Sequence, residues 1–162
     1  MLDLILRPVN DRDREWISRL IVERWGSEIV VVHNTTYTPA DLPGFIGILK
    51  DRGVGLITYN LQGDECEIVT LDSLIPSQGI GTGLIDEVRK VAREEGCRRI
   101  WLITTNDNLE ALRFYQSRGF LLRTIHKNAV EKAREIKPEI PVLGQSGIPI
   151  RDEIELEMIL DI

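Results

Sequence analysis

Between residues 65 and 105 the chain changes its hydrophobic period twice, and this constrains the fold more than any other feature. ECEIVTLDSL (65–74) alternates as a strand does, while Ile80, Leu84, Ile85, Val88, Val91 and Ala92 then fall on one helical face, with charged residues outside. Gly96 supplies the stop, and RIWLITT (99–105) follows as a continuous β-rich run. A strand, a helix and a second strand in this order make a crossover, so the two strands are expected to be parallel. Upstream, FIGILK, VGLITYNL and ECEIVTLDSL are separated only by DRG and QGD turns and must be antiparallel neighbours. The expected sheet is mixed, antiparallel first and parallel after.

The flanks add to this frame. Leu2 to Val9 alternates as a first strand, and Asn10 or Asp11 is a candidate cap for a helix running to about Gly26. Trp16, Ile17, Leu20, Ile21 and Trp25 recur on it at helical spacing and are expected to be core. Ile29 to Val32 is a short β-branched run, and HNTTYTPADLPG reads as loop because of Pro39 and Pro43. After RIWLITT come a short helix, LEALRFYQSR, closed by Gly119, a strand, LLRTIHK, and helical turns, AVEKAREI. A Pro/Gly-rich excursion, PEIPVLGQSGIPIRD, precedes a last alternating strand, IELEMIL.

At 162 residues the chain is expected to form one domain over 1–162. Its net charge of -6 comes without a basic block, which argues against a nucleic-acid partner. Cys66 and Cys97 lack the spacing of a zinc site or the density of a secreted scaffold, so no metal is expected and a reducing cytoplasm fits best. No apolar run approaches the roughly 18 residues that span a bilayer, so no membrane partner is expected.

SLIPSQGIGTGL puts Gly79, Gly81 and Gly83 between a strand and an amphipathic helix, where a backbone can come close to a ligand. The helix's first turn has no acidic residue, which leaves amides able to receive an anion; a tight turn that merely needs small residues is the alternative. A nucleotide P-loop would need Gly-Lys-Ser or Gly-Lys-Thr where this turn has Thr82, Gly83 and Leu84. A Rossmann fingerprint would stand in a first βαβ unit and not after three antiparallel strands.

These residues resemble the GNAT superfamily of acetyl-CoA-dependent N-acetyltransferases, over nearly the whole order of elements and most specifically from Glu67 to Phe120. GIGTGLIDEVRKVAREEGCRRIWL is similar to the family's pyrophosphate loop and helix, and NLEALRFYQSRGF to its Asn-x-x-Ala-x-x-Phe-Tyr-x-x-x-Gly-Phe signature. Gln78, Gly81 and Gly83 satisfy the loop pattern literally. The distance to Gly96 favours Gly79 and Gly81 instead, with Pro76 at the usual Gln/Arg position; both registers use Ser77 to Gly83. The resemblance implies an α/β (α+β) fold with a mixed, mostly antiparallel sheet flanked by helices. The family's fourth and fifth strands would be parallel and splayed, so that pantetheine adds beside Leu71 to Leu74.

It also implies acetyl-CoA as cosubstrate and an amine as acceptor, joined by direct attack in a ternary complex, and it is compatible with a homodimer. The implied coenzyme-binding residues are Leu71, Ser73, Leu74, Ser77, Gln78, Gly79, Ile80, Gly81, Thr82, Gly83, Asn108, Ala111 and Tyr115. Asn108 would cap the next helix or touch the coenzyme arm. Tyr115 matches the position that protonates the leaving sulfur in many members, against a plain core role. An amide near Ser73 or Leu74 is the natural oxyanion donor. Glu67 resembles a strand glutamate used as general base, against an exposed carboxylate. Asp72 is on the other face unless a bulge intervenes. His33, Tyr37, His126 and Lys127 could line the acceptor site or be solvated. The competing function is a catalytically silent acyl-CoA-binding module; Tyr115 favours the enzyme.

Overall fold

A computed structural model describes residues 3–144 and 146–160. Within it, β1 (Leu4–Pro8) leads through a 3-10 turn to α1 (Arg14–Trp25), which Gly26 ends in the left-handed region. Then come a hairpin of β2 (Val30–Val32) and β3 (Thr35–Tyr37), and the three long strands β4 (Gly44–Leu49), β5 (Arg52–Gln62) and β6 (Glu65–Ser73). Helix α2 (Ile80–Glu94), β7 (Arg99–Thr105), α3 (Leu109–Gln116), β8 (Leu121–His126), α4 (Ala129–Ile136) and β9 (Glu153–Ile159) complete the order.

The seven-stranded sheet runs β1-β4-β5-β6-β7-β9-β8, antiparallel except for β6 with β7. Sequence order did not disclose that β9 lies between β7 and β8: the excursion carries the chain back so that β9 pairs antiparallel with both. Helix α2 buries Ile80, Leu84, Ile85, Val88 and Ala92 against Ile57, Ile68 and Ile100, and this core reaches Tyr115 and Phe120. Helix α1 packs Ile17, Leu20 and Ile21 with Val30 and Val32 on Leu56 and Val69 of the sheet's other face. Each face thus has a helix layer over an apolar row, the arrangement that lets a mixed sheet exclude water on both sides.

Four local expectations change. HNTTYTPADLPG is not only loop. His33 and Asn34, both at positive φ, make a two-residue turn of the hairpin type, and Thr35–Tyr37 pairs back on Val30–Val32. The β4–β5 turn is Lys50–Asp51, one residue earlier than the DRG reading, because both residues take positive φ and Arg52 is already in the strand. Trp25 does not join the α1 core; its indole N–H donates to Asp72 Oδ2 at 3.2 Å. Finally, the β5–β6 register shifts by one residue at Val69, between Thr58 opposite Thr70 and Tyr59 opposite Ile68. This bulge brings Asp72 onto the same face as Glu67, since their partners Leu56 and Asn60 are an even number of residues apart.

Candidate active site

The parallel pairing of β6 with β7 ends at Ile68 opposite Leu102, although both strands continue. Beyond that point they part, and a cavity of about 750 Å³ opens between them toward the start of α2. The Leu74 amide donates to the Val54 carbonyl at 2.8 Å, so strand alternation turns the peptide groups of Leu71 and Ser73 away from β5 and toward the split. Two backbone positions are thereby ready to accept an added extended chain. Leu74 itself commits its amide to the sheet and lies outside the cavity lining, so of the two oxyanion donors suggested near here only the Ser73 side of the pair faces the opening.

At the other end the cavity meets the α2 N-terminus. Gly79, at φ +70°, is the N-cap, with no side chain to occupy the first-turn amides and no acidic residue in that turn. Gly83 is the first residue of this turn to bond back into the helix, to the Gly79 carbonyl at 3.0 Å. The amides of Gly79, Ile80, Gly81 and Thr82 are therefore the helix's unpaired donors, and helix geometry aims them at an anion. Gly83 turns its Cα toward Leu6 and away from the cavity, whereas a Cβ on Gly81 would stand 2.9 Å from the Phe114 ring. The packing of α2 on α3 thus explains Gly81, and backbone conformation explains Gly79.

Helix α3 lines the opposite wall. The Asn108 side chain caps it, accepting from the Ala111 amide at 3.2 Å, and Asn108, Ala111 and Tyr115 all face the cavity. Tyr115 is 8% exposed, edge-on to both Phe114 and Phe120. Burial, with a smaller contribution from Asp72, pushes its phenol well above the ordinary range, so it stays protonated and able to donate. Arg118 is a residue the sequence reading passed over. Its guanidinium lies 3.6 Å over the Phe114 ring, donates to Thr82 Oγ1 at 2.8 Å and brings positive charge to the α2 end. Its cue was its place three residues after Tyr115, just past the end of the helix that faces the glycine turn.

Glu67 lies on the other face of the split. It is 5% exposed, and Tyr37 donates its hydroxyl to Glu67 Oε1 at 2.6 Å. Burial raises its carboxyl above the ordinary range; the Tyr37 hydrogen bond opposes this, and the nearby Glu155 and Glu153 add to it. The β2–β3 turn brings His33 to Glu153, whose Oε2 accepts the His33 amide at 3.1 Å, and His126 Nε2 lies 3.2 Å from Glu155 Oε1. The two imidazole rings are 4.3 Å apart. Glu67, Tyr37, His33 and His126 therefore converge in one wall with Glu153 and Glu155, which the sequence reading did not name. Lys127 is exposed beside this wall.

A buried phenol on one face, a buried carboxylate on the other and a parted parallel pair between them suit transfer of an acyl group through the sheet. The family model described as "Acetyltransferase (GNAT) family" matches residues 11–120. The chain belongs to this family of acetyltransferases and is an acyltransferase. YdhI of Bacillus subtilis (strain 168) is 40% identical over 159 residues, covering 98% of this chain and 99% of that protein. YxbD of the same strain is 46% identical over 145 residues, covering 88% and 91%. Among solved structures, an IAA acetyltransferase from Bacillus cereus ATCC 14579 aligns over 98% of this chain and 100% of its own, with TM-score 0.74 and 19% identity. A GNAT family acetyltransferase from Elizabethkingia anophelis with acetyl-CoA bound aligns over 97% and 98%, with TM-score 0.67 and 18% identity. These two likenesses concern the fold.

Proposed function

We propose that the chain, as one domain over residues 1–162, transfers an acetyl group from acetyl-CoA to a primary amine by direct attack in a ternary complex. The observation that carries this reading is the parting of β6 from β7 beyond Ile68 and Leu102, with Tyr115 lining the gap and Glu67 one residue before it on the opposite face of the sheet. The diphosphate of acetyl-CoA fits the unpaired amides of Gly79 to Thr82, with Ser77 and Gln78 at the rim and Arg118 adding charge. Its pantetheine arm fits the edge of β6 at Leu71 and Ser73, as an extra strand would. When bound, acetyl-CoA supplies an activated thioester at the split.

Glu67 accepts the proton of the attacking amine, directly or through a water, and its raised pKa makes it a stronger base than an ordinary glutamate. Tyr37 holds the carboxylate in place by donating to the oxygen that does not need to face the amine. The Leu71 or Ser73 amide stabilises the developing oxyanion. Tyr115, kept protonated by burial, donates to the departing sulfur. The amine enters from the face of His33, Tyr37 and His126, opposite the coenzyme. CoA release measured over a panel of amines tests this: acetyl-CoA-dependent release with at least one amine is expected. Acetyl-CoA that binds without any release would favour the silent acyl-CoA-binding module instead.

A further inference from the structure

An amine that arrives as its ammonium has two protons to lose on the way to an amide, and the transfer described above assigns it a single base. Glu67 stands one residue before the split and does not line the cavity there, so the ammonium first meets other groups. Two carboxylates do line that cavity: Glu110, exposed on the first turn of α3, and Asp72, half-buried near the end of β6. The Val69 bulge turns Asp72 onto the face of α1, where its cross-strand partner Leu56 packs with Ile17, Leu20 and Ile21. Tyr115 belongs to the core on the other face, with Leu84 and Ile100. One cavity of about 750 Å³ reaches both because β6 and β7 have parted, so a carboxylate and a phenol line the same gap from opposite sides.

The surroundings orient Asp72 and leave half of it free. The Trp25 indole N–H donates to Oδ2 at 3.2 Å, while Oδ1 has no hydrogen-bond partner among the described residues. Trp25 is fixed in turn from a distant part of the chain. Lys137, 6% exposed just past α4, donates its ammonium to the carbonyls of Trp25 at 2.9 Å and Ile29 at 3.2 Å. Burial raises the Asp72 carboxyl above its ordinary range, against the Trp25 hydrogen bond and the charge of Arg24. Asp72 is also the charge that adds to the effect of burial on Tyr115, so the two groups act on each other across the gap.

Resting on the acetyl-transfer reading above, the structure assigns the first of the two protons to Asp72: Oδ1 receives the incoming ammonium, takes one proton from it, and passes that proton to Tyr115 once the sulfur has left. The ammonium and the Asp72 carboxylate become a neutral amine and a neutral acid. The nitrogen lone pair then forms the C–N bond, the carbonyl π pair moves onto oxygen, and Glu67 takes the second proton from that nitrogen. As the pair on oxygen returns, the C–S bond breaks with its electrons on sulfur, and sulfur takes the Tyr115 proton. Asp72 restores the phenol, since a carboxylic acid is a far stronger acid than a phenol. Glu67 releases its proton to water, the one proton that the net reaction sets free.

The test separates acceptors by their charge. Ethylamine is an ammonium at neutral pH, whereas 2,2,2-trifluoroethylamine is largely neutral and similar in shape; CoA release at saturating acetyl-CoA is measured for both. Asp72→Asn should lose about 100-fold in kcat/KM with ethylamine, and the loss with the fluorinated amine should be at least about tenfold smaller. Trp25→Phe, which removes the N–H, should show the same order with smaller losses. Equal losses with the two amines overturn the proposal and leave acetyl transfer standing.

Trp25 emission gives a readout without turnover, taken in the CoA-loaded state as the difference between the protein and Trp25→Phe. It should titrate with Asp72 at a midpoint above the ordinary aspartate value of about 3.9, and ethylammonium chloride should lower that midpoint relative to sodium chloride at equal ionic strength. The other charged or titratable groups lining the cavity, Arg24 from α1, Glu110 and Tyr115 from α3 and Arg118 just beyond it, are the same in both salts. A midpoint that ethylammonium does not move overturns the proposal. A lowered midpoint in a protein that releases no CoA with either amine supports docking at Asp72 and overturns acetyl transfer instead.

Discussion

Burial acts on Tyr115 and Glu67 in the same direction and would suit them to the opposite tasks proposed for them. Raising a phenol's pKa keeps its proton available to a leaving thiolate, whereas raising a carboxylate's pKa makes it a stronger base. Tyr115→Phe keeps the ring contacts with Phe114 and Phe120 and removes only the proton, so kcat should fall about 100-fold while acetyl-CoA binding stays near normal. Unchanged turnover would remove Tyr115 from the mechanism. Glu67→Gln should lower kcat by a similar factor, about 100-fold, and abolish the acidic limb of the pH–rate profile. In the unaltered enzyme that limb rises with pH, because only the ionised carboxylate accepts a proton, and it should lie above the ordinary glutamate value of about 4.3. A limb that survives Glu67→Gln would assign the base elsewhere.

Among the elements, α2 and α3 are coupled through one glycine. A methyl on Gly81 would stand 2.9 Å from the Phe114 ring, which Arg118 covers from above, so the ring cannot simply swing aside. Gly81→Ala should therefore cost about 1 kcal/mol of stability and weaken acetyl-CoA binding several-fold. Thermal unfolding and titration with the coenzyme check the two effects separately. The sequence disclosed the crossover, the three antiparallel strands, the glycine turn and the short helix after Asn108, because each is written in local period or turn chemistry. It did not disclose β3, since His33 and Asn34 form a tight hairpin turn without glycine. Nor did it disclose the Val69 bulge, which no residue type marks and which decides that Asp72 and Glu67 share a face. Glu153 and Glu155 were unreadable as site residues for a different reason: only the long-range pairing of β9 with β7 and β8 brings them to the wall.

For the molecule as a whole, the shifted carboxylates divide into two groups with opposite effects on stability. Asp13, hydrogen-bonded by Arg7, and Asp152, accepting the Asn128 amide, lie below their ordinary range. So does Glu155, where burial is outweighed by Arg99 and His126. Their stabilisation is complete above the unfolded values, about 3.9 for Asp and 4.3 for Glu, and is lost as pH falls through the lowered ones. Glu67 and Asp72, both raised by burial, behave oppositely: their contribution is complete below the unfolded values and is lost as pH rises through the raised ones. The melting temperature should thus peak at about pH 5 and decline on both sides. Glu67→Gln should flatten the alkaline side. Calorimetric scans across this range would show it, and a melting temperature still climbing toward pH 8 would contradict the assignment. A saturating coenzyme adds a further shift: at 100 times its Kd, acetyl-CoA should stabilise the fold by about 2.7 kcal/mol, where ATP and NAD should not.

The position of β9 bears on how such a molecule comes into being. A ribosome delivers the glycine turn, α2 and α3 long before Glu153, so the coenzyme's half can close while the chain is still being made. Until β9 threads between β7 and β8, Glu153 and Glu155 are not yet beside His33 and His126. The nascent protein would therefore gain its donor pocket first and its choice of acceptor last.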